Sequence, residues 1–386
     1  MTRPKLSLII PYERRPDNLA LALQALQHQT MDPAEFEIVV GTTKYDEDYL
    51  DLVREPSRRL RLVTVMTHED FEIPRTRNMA MRQATGEVIV NMDADTFLPD
   101  DSLTRLYERH YAFGQNACVV GQVLGYGNNY DGDVPHVETE PFDVWRKRLE
   151  EISHTVDEPL DPRFQVDHVI PWSFAWTGLI ALPARLLREH DLYFDESFRG
   201  WGVDDIEWGY RIAATGTPIV LRKDLYALHL PHSRDAQANF RTETITYRQF
   251  LHKWPRLDVE LAAAFNDVDA NVLYPRIQAE LRDVLPDGAA ALGSVRASVA
   301  GERTLFLGVP LDADHRILDP SVRDAHDAAE PLEVLPLIGM ALPHEDGSVA
   351  RCRVMPAIGQ LTTPYAEKVH ATARRVAADA VVESTP

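Results

Sequence analysis

Residues 88–96, Val88-Ile89-Val90-Asn91-Met92-Asp93-Ala94-Asp95-Thr96, run from an apolar segment into two carboxylates one residue apart. A short continuous apolar run of this kind fits a strand buried on both faces, as in a parallel sheet. Ligands of open α/β sheets bind beyond the carboxyl ends of such strands. Asp93 and Asp95 therefore stand where a cleft opens. Hard divalent cations favour such oxygen ligands and complete their shells with phosphate oxygens. In a chain this acidic an ordinary surface turn is the alternative, so the surroundings decide what the pair does.

Outward from this stretch, the first 120 residues alternate strand-like and helix-like segments, the pattern of a parallel sheet flanked by helices. Strands are expected at 6–10, 36–40, 61–65, 87–91 and 117–123. Leu19, Ala22, Leu23 and Leu26 recur at helical spacing and give one packing face. A second helix is expected over 75–84, closed by Gly86 just past its end. Residues 126–133 are rich in Gly, Asn and Asp and read as a surface loop. Further on, 174–182 reads as a strand, 183–190 and 203–214 as helices, and 218–221 and 225–228 as two short strands. Two helices are expected over 236–254 and 258–284, broken by Pro255. Residues 287–290 are linker-like, 304–310 suggest a strand, and a closing helix is expected over 365–380.

The chain has 386 residues, 45% hydrophobic and 26% charged, which suits a globular protein of two domains or one domain with an appendage. We expect a catalytic domain over 1–285, made of a nucleotide-binding half (1–123), an acceptor half (124–235) and a helical extension (236–285). A module of unknown role would follow over 286–386. A formal net charge of −20 disfavours broad binding to nucleic acid or anionic membranes. No apolar stretch approaches the roughly 20 residues of a membrane span. Two distant cysteines, Cys118 and Cys352, make neither a disulfide framework nor a zinc cluster. A cytoplasmic location is the expectation.

Three segments accompany the carboxylate pair. Pro11-Tyr12-Glu13-Arg14-Arg15 follows the first strand, and its arginine forks match phosphate geometry. Arg77 and Asn78 stand at the start of the helix that precedes the carboxylate strand, where anions are attracted. Gly200-Trp201-Gly202-Val203-Asp204-Asp205-Ile206-Glu207 opens another helix with three carboxylates. Like charges so close raise a proton affinity, which suits one of them to act as a base. An N-terminal cap cluster would account for Asp204 but not for the glycines around Trp201. Downstream, His229 and His232 follow a short strand, and imidazoles are frequent metal ligands. Spacing leaves both open.

In this order and spacing the segments resemble family 2 glycosyltransferases of the GT-A fold. The second half is similar to β-1,4-galactosyltransferases (family 7 type) and chondroitin-polymerase-type enzymes. The resemblance spans roughly residues 6–235 and rests also on Trp176-Thr177-Gly178 and His232-Ser233-Arg234-Asp235. It implies a nucleotide-sugar donor, most often a UDP-sugar, with Mn²⁺ or Mg²⁺ bridging its diphosphate. By resemblance, Asp95 and His232 are metal ligands, Asp93 faces the ribose and sugar, and His229 is a further ligand. Asp205 matches the base of the inverting enzymes, with Asp204, Trp201 and Gly178 on the acceptor side. Pro11, Tyr12, Arg14, Arg15, Arg77 and Asn78 would meet the donor. A glycan, a peptide or a small natural product remains open as acceptor.

The chain departs from that pattern in two places. Val39-Val40 runs into Gly41-Thr42-Thr43, without the aspartate that reads uracil in the family, and Glu13 replaces a cation. The alternatives are a retaining transferase on the same scaffold, a sugar nucleotidyltransferase and a non-catalytic sugar- or peptide-binding protein. Retaining relatives carry Glu-Asn where Asp204-Asp205 stands. Nucleotidyltransferases begin with a glycine-rich loop that Pro11-Tyr12-Glu13-Arg14 does not form.

Overall fold

The computed structural model describes residues 3–43, 46–125, 130–131, 139–154 and 161–383. The chain divides into two compact units, 1–165 with 171–246, and 166–170 with 247–386.

The first unit begins with β1 (Leu6–Tyr12), α1 (Pro16–Gln27), β2 (Phe36–Thr43), α2 (Glu47–Arg54) and β3 (Leu62–Thr67). Then come α3 (Ile73–Gln83), β4 (Val88–Met92), β5 (Thr96–Phe97), α4 (Ser102–His110), β6 (Cys118–Leu124), β7 (Tyr130–Asp131) and α5 (Phe142–Ser153). The unit closes with β8 (Leu179–Pro183), α6 (Ala184–Glu189), α7 (Asp204–Ala214), β9 (Ile219–His229) and β10 (Ser233–Arg234). A long helix, α8 (Ala236–Lys253), continues into the second unit.

Eight strands form one sheet in the order β3-β2-β1-β4-β8-β6-β9-β5, and β7 and β10 pair separately. Every residue of β1, β2, β4 and β6 is buried, as expected of strands covered on both faces. The mixed α/β fold expected from the sequence is present. Its parallel half is β3-β2-β1-β4, and β8 enters antiparallel between β4 and β6.

Local details differ from expectation. Residues 171–174 form a short 3-10 helix, and the strand begins only at Leu179. The two short strands expected at 218–228 are the single strand β9, whose register against β6 shifts between Gly121 and Gln122. Gly86 does not cap α3, which ends at Gln83 with Ala84 extended. It is needed for space, since a Cβ there would lie 2.6 Å from Ser7 Oγ. The loop expected over 126–133 lies outside the described residues apart from 130–131.

The second unit holds α9 (Leu257–Phe265) and α10 (Asp267–Val284), then β11 (Ala291–Val299), β12 (Glu302–Leu311), α11 (Pro320–Arg323), β13 (Glu333–Leu335), β14 (Val349–Val354), α12 (Thr363–Val376) and β15 (Ala377–Glu383). The five strands form a sheet in the order β13-β11-β12-β14-β15. The expected closing helix is thus shorter, and its last residues join the sheet parallel to β14.

Residues 247–284 group with this unit, so the division falls at 246/247 instead of the expected 285/286. The physical reason is burial. Glu260 of α9, with no exposed surface, accepts backbone N–H groups of Ile338, Gly339, Met340 and Ala341 at 2.7–3.4 Å. Tyr365 donates to Leu273 O of α10 at 3.1 Å. Among the described residues no helix is long and apolar enough to cross a membrane. Cys118 and Cys352 are both free and buried.

Candidate active site

The carboxylate pair sits where β4 ends, and β5 explains how the histidines reach it. Thr96 and Phe97 pair antiparallel with His229 and Leu228, so the end of β9 lies beside Asp95. Leu230 N donates to Asp95 O at 2.8 Å, and Asn18 of α1 donates to Pro231 O at 3.3 Å. These backbone ties place both imidazoles against one carboxylate. His229 Nε2 lies 3.6 Å from Asp95 Oδ1 and His232 Nε2 3.4 Å from Asp95 Oδ2. One ligand atom from each of the three residues falls within 4.8 Å of the others.

The chemistry of this trio fits a cation. His232 Nδ1 is 2.8 Å from Ser233 O, and a carbonyl only accepts, so Nδ1 carries the proton. Burial, with help from Arg15, pushes His232 below the ordinary histidine range despite Asp95. The ring is therefore neutral at physiological pH, and the lone pair of Nε2 faces a carboxylate oxygen. Two electron-rich atoms so close call for positive charge between or beside them. An imidazole that donates its far nitrogen to a carbonyl is also the usual orientation of a metal-ligating histidine. Asp95 is 2% exposed, and its Oδ1 accepts no hydrogen bond among the described residues. Arg15 supplies part of the charge by donating to Asp95 Oδ2 at 2.5 Å. It can do so because it adopts left-handed backbone angles (φ 73°) at the turn from β1 into α1.

On the other side of the strand end, Arg77 is buried and binds two carboxylates, Asp93 Oδ1 at 2.7 Å and Asp204 Oδ2 at 3.3 Å. Burial opposes its charge, but Asp93, Asp204 and Asp205 outweigh that and raise its proton affinity. The carboxylates at the head of α7 respond in turn. Burial and then Asp205 raise Asp204 to about 7, with Arg77 opposing. Asp205 is also raised by burial and lowered by Arg77 and by N–H donors. Those donors are Thr177 N, 3.3 Å from Oδ2, and Ile206 N, 2.8 Å from Oδ1. Asp204 is buried, whereas Asp205 is partly exposed and thus open to a ligand.

The loop that opens α7 is strained. Gly200 (φ 84°), Gly202 (φ 98°) and the β-branched Val203 (φ 71°) all lie in the left-handed region. Glu72 accepts from Gly200 N at 3.2 Å, and Thr242 of α8 exchanges hydrogen bonds with both backbone groups of Trp201. Trp201 is left 47% exposed. Gly178 is buried, and its carbonyl accepts from Thr96 Oγ1 at 3.1 Å, which joins the Trp-Thr-Gly segment to the carboxylate strand.

The structure therefore brings together Asp95, His229, His232 and Arg15 as one group, and Asp93, Arg77, Asp204 and Asp205 as another. Other expected donor residues are placed differently. Asn78 is 1% exposed and spends its amide on Phe194 N, Phe194 O and Glu196, so it tethers a loop. Pro11 and Tyr12 are buried, Tyr12 stacking on Tyr49 at 5.1 Å. Arg14 projects outward, with Glu13 3.9 Å away. At Gly41 a Cβ would lie 2.3 Å from Thr76 O, so the first turn of α3 leaves no room for a side chain there. Thr177, Glu72, Thr242 and Glu243 (below) were missed, because each acts across a long sequence separation that no periodicity marks.

Residues 7–168 match the family model "Glycosyl transferase family 2". Over 330 residues the chain is 29% identical to the validoxylamine A glucosyltransferase of Streptomyces hygroscopicus subsp. limoneus, covering 79% of this chain and 71% of that one. The hyaluronan synthase of Pasteurella multocida is 27% identical over 236 residues, 55% of this chain and 23% of that much longer protein. A crystal structure of S. aureus TarS 1-349 in complex with UDP-GlcNAc aligns with a TM-score of 0.48 and 16% identity, over 72% of this chain and 77% of that one. The chain is accordingly a glycosyltransferase, whose residues 7–168 match the family 2 model.

Proposed function

We propose that the chain is a metal-dependent, inverting glycosyltransferase that moves a hexose from a nucleotide sugar, most simply a UDP-sugar, to a hydroxyl-bearing acceptor. The observation that carries this reading is the pairing of Asp95 with two imidazole nitrogens at 3.4 and 3.6 Å, in the same unit as the partly exposed Asp205. Asp95, His232 and His229 would hold Mn²⁺ or Mg²⁺, with Asp93 toward the donor. A cation bound there supplies positive charge against the departing diphosphate.

The protein's own groups carry the remaining steps. Arg15 and Arg14 offer guanidinium forks to the phosphates. Arg77 keeps Asp93 and Asp204 oriented through its two ion pairs. Asp205 takes the proton of the acceptor hydroxyl as that oxygen attacks the anomeric carbon. Trp201 and Gly178 stand on the acceptor side. One base and a single displacement give inversion. The galactosyltransferase-like reading of 172–235 belongs to this proposal, since the family match ends at residue 168. A reducing, cytoplasmic location is supported by the two free, buried cysteines. The relative named for validoxylamine A suggests that compound as an acceptor for a first screen.

The test is incubation with a panel of nucleotide sugars, with and without Mn²⁺, followed by anomer-resolved NMR of the product. Manganese-dependent turnover with inverted configuration is expected. Turnover that ignores chelation removes the metal, retention removes the single displacement, and absence of donor binding removes the reading.

A further inference from the structure

Glu243, on the first turns of α8, lies outside every expected site segment. Its neighbours place it on the acceptor side. A Cβ added at Gly202 would lie 3.4 Å from Glu243 Cβ and 3.5 Å from its Cγ, so its stem rests against the strained loop. The preceding residue, Thr242, holds that loop. Its hydroxyl lies 3.3 Å from Trp201 N and 3.0 Å from Trp201 O, and its side chain stands 2.8 Å from where a Cβ of Gly200 would be. The first turns of α8 thus pack on Gly200-Trp201-Gly202, and Glu243 rests on Gly202, next in the chain to Trp201.

Among the described residues no hydrogen bond or ion pair engages the Glu243 carboxylate, which is half-buried. Arg77, a buried cation of this region, is already shared between Asp93 and Asp204. Burial, and then Asp205, raise the proton affinity of Glu243, so the two acids share one environment. A half-buried carboxylate that spends nothing on protein donors is free to accept from a ligand that brings one.

We propose that Glu243 determines acceptor specificity by accepting a hydrogen bond from a hydroxyl or ammonium group of the acceptor, while Thr242 positions Trp201 for the same molecule. This rests on the glycosyl-transfer reading above. Glu243 touches the part of the acceptor that does not react, so it acts on binding and leaves the chemical step alone.

The test is steady-state transfer by the wild-type protein and by Glu243→Gln, with Mn²⁺ and whichever UDP-sugar the donor screen finds turned over. Validoxylamine A and myo-inositol serve as acceptors in separate arms, and donor hydrolysis by water is followed in parallel. The variant should raise the acceptor KM about tenfold or more, the loss expected of one hydrogen bond to a charged group. kcat, donor KM and hydrolysis should stay unchanged. A loss confined to the validoxylamine arm shows that Glu243 reads a group inositol lacks, and an equal loss in both arms shows a hydroxyl partner. An unchanged acceptor KM, an equal loss of hydrolysis and transfer, or wild-type transfer to neither probe while hydrolysis proceeds overturns the proposal alone. A wild-type protein inert toward every donor overturns it together with the reading beneath it.

Discussion

Arg77 Nη1 of α3 lies 3.3 Å from Asp204 Oδ2 of α7, 127 residues further along the chain. The same guanidinium also holds Asp93 at 2.7 Å, so one buried cation joins the end of the carboxylate strand to the head of the α7 helix. Replacing it with Met would leave two carboxylates without their partner. Breaking a buried pair this way costs roughly 3–5 kcal/mol. Arg77→Met should therefore lower both the melting temperature and kcat, and Arg77→Lys should recover little, because one ammonium cannot span both acids. Thermal unfolding beside a transfer assay checks this, and a Lys variant of wild-type activity contradicts the bridging role.

The raised proton affinity of the Asp204–Asp205 pair fixes the direction of the pH profile. Asp204 is raised to about 7 and Asp205 is raised as well, both by burial first, so the pair titrates as a unit and gives up its protons later than ordinary carboxylates. Transfer should thus rise with pH, and kcat/KM measured from pH 5 to 9 is the check. A flat profile separates the pair from the reaction. The stability effect has the opposite slope. Asp204 moves up from 3.8 on folding, so its contribution is complete below that pH and is lost as pH rises through about 7.

Asp95→Asn and His232→Ala should abolish stabilisation by Mn²⁺ while leaving the metal-free fold intact. The readout is the melting temperature during a manganese titration, since a ligand bound only by the native state raises it. Variants that keep the full manganese shift place the cation elsewhere.

Gly200 offers a test of the loop that carries Trp201. Gly200→Ala would put a Cβ at φ 84° and 2.8 Å from Thr242 Cγ2. Strain of this type costs on the order of 1–3 kcal/mol. The acceptor KM should rise and donor hydrolysis should persist. Equal loss of both functions would show that the loop serves the donor.

In the second unit, Glu260→Ala strips the acceptor from the N–H groups of Ile338–Ala341. Each buried donor so orphaned costs about 1–3 kcal/mol. Denaturant unfolding should show a loss of several kcal/mol, and a neutral result would show that this segment rearranges.

The strands of the first half were legible because β1, β2, β4 and β6 are covered on both faces and so appear as unbroken apolar runs. Of the second sheet only β12, expected over 304–310, was legible. β11 buries Ser294 and Ala297 beside small residues, which leaves no clear apolar run or alternation. Asp93, Asp95, Asp205 and the two histidines were recognisable from residue type and order. Their mutual geometry was not, because it comes from the β5–β9 pairing and from Arg77. Asn78 shows the limit of motif reasoning, since its place at a helix entry pointed to a ligand while its amide serves Phe194 and Glu196.

Asp95 Oδ2 is shared, for Arg15 donates to the same oxygen that His232 faces. A metal drawn to Asp95 must compete with that guanidinium, and an incoming diphosphate gives the guanidinium somewhere else to go. On the proposed reading the two ligands should help each other by thermodynamic reciprocity: whatever factor manganese adds to nucleotide affinity, the nucleotide returns to manganese. Arg15→Ala should shrink that factor in a calorimetric cycle, and an undiminished factor would mean that the arginine is a bystander.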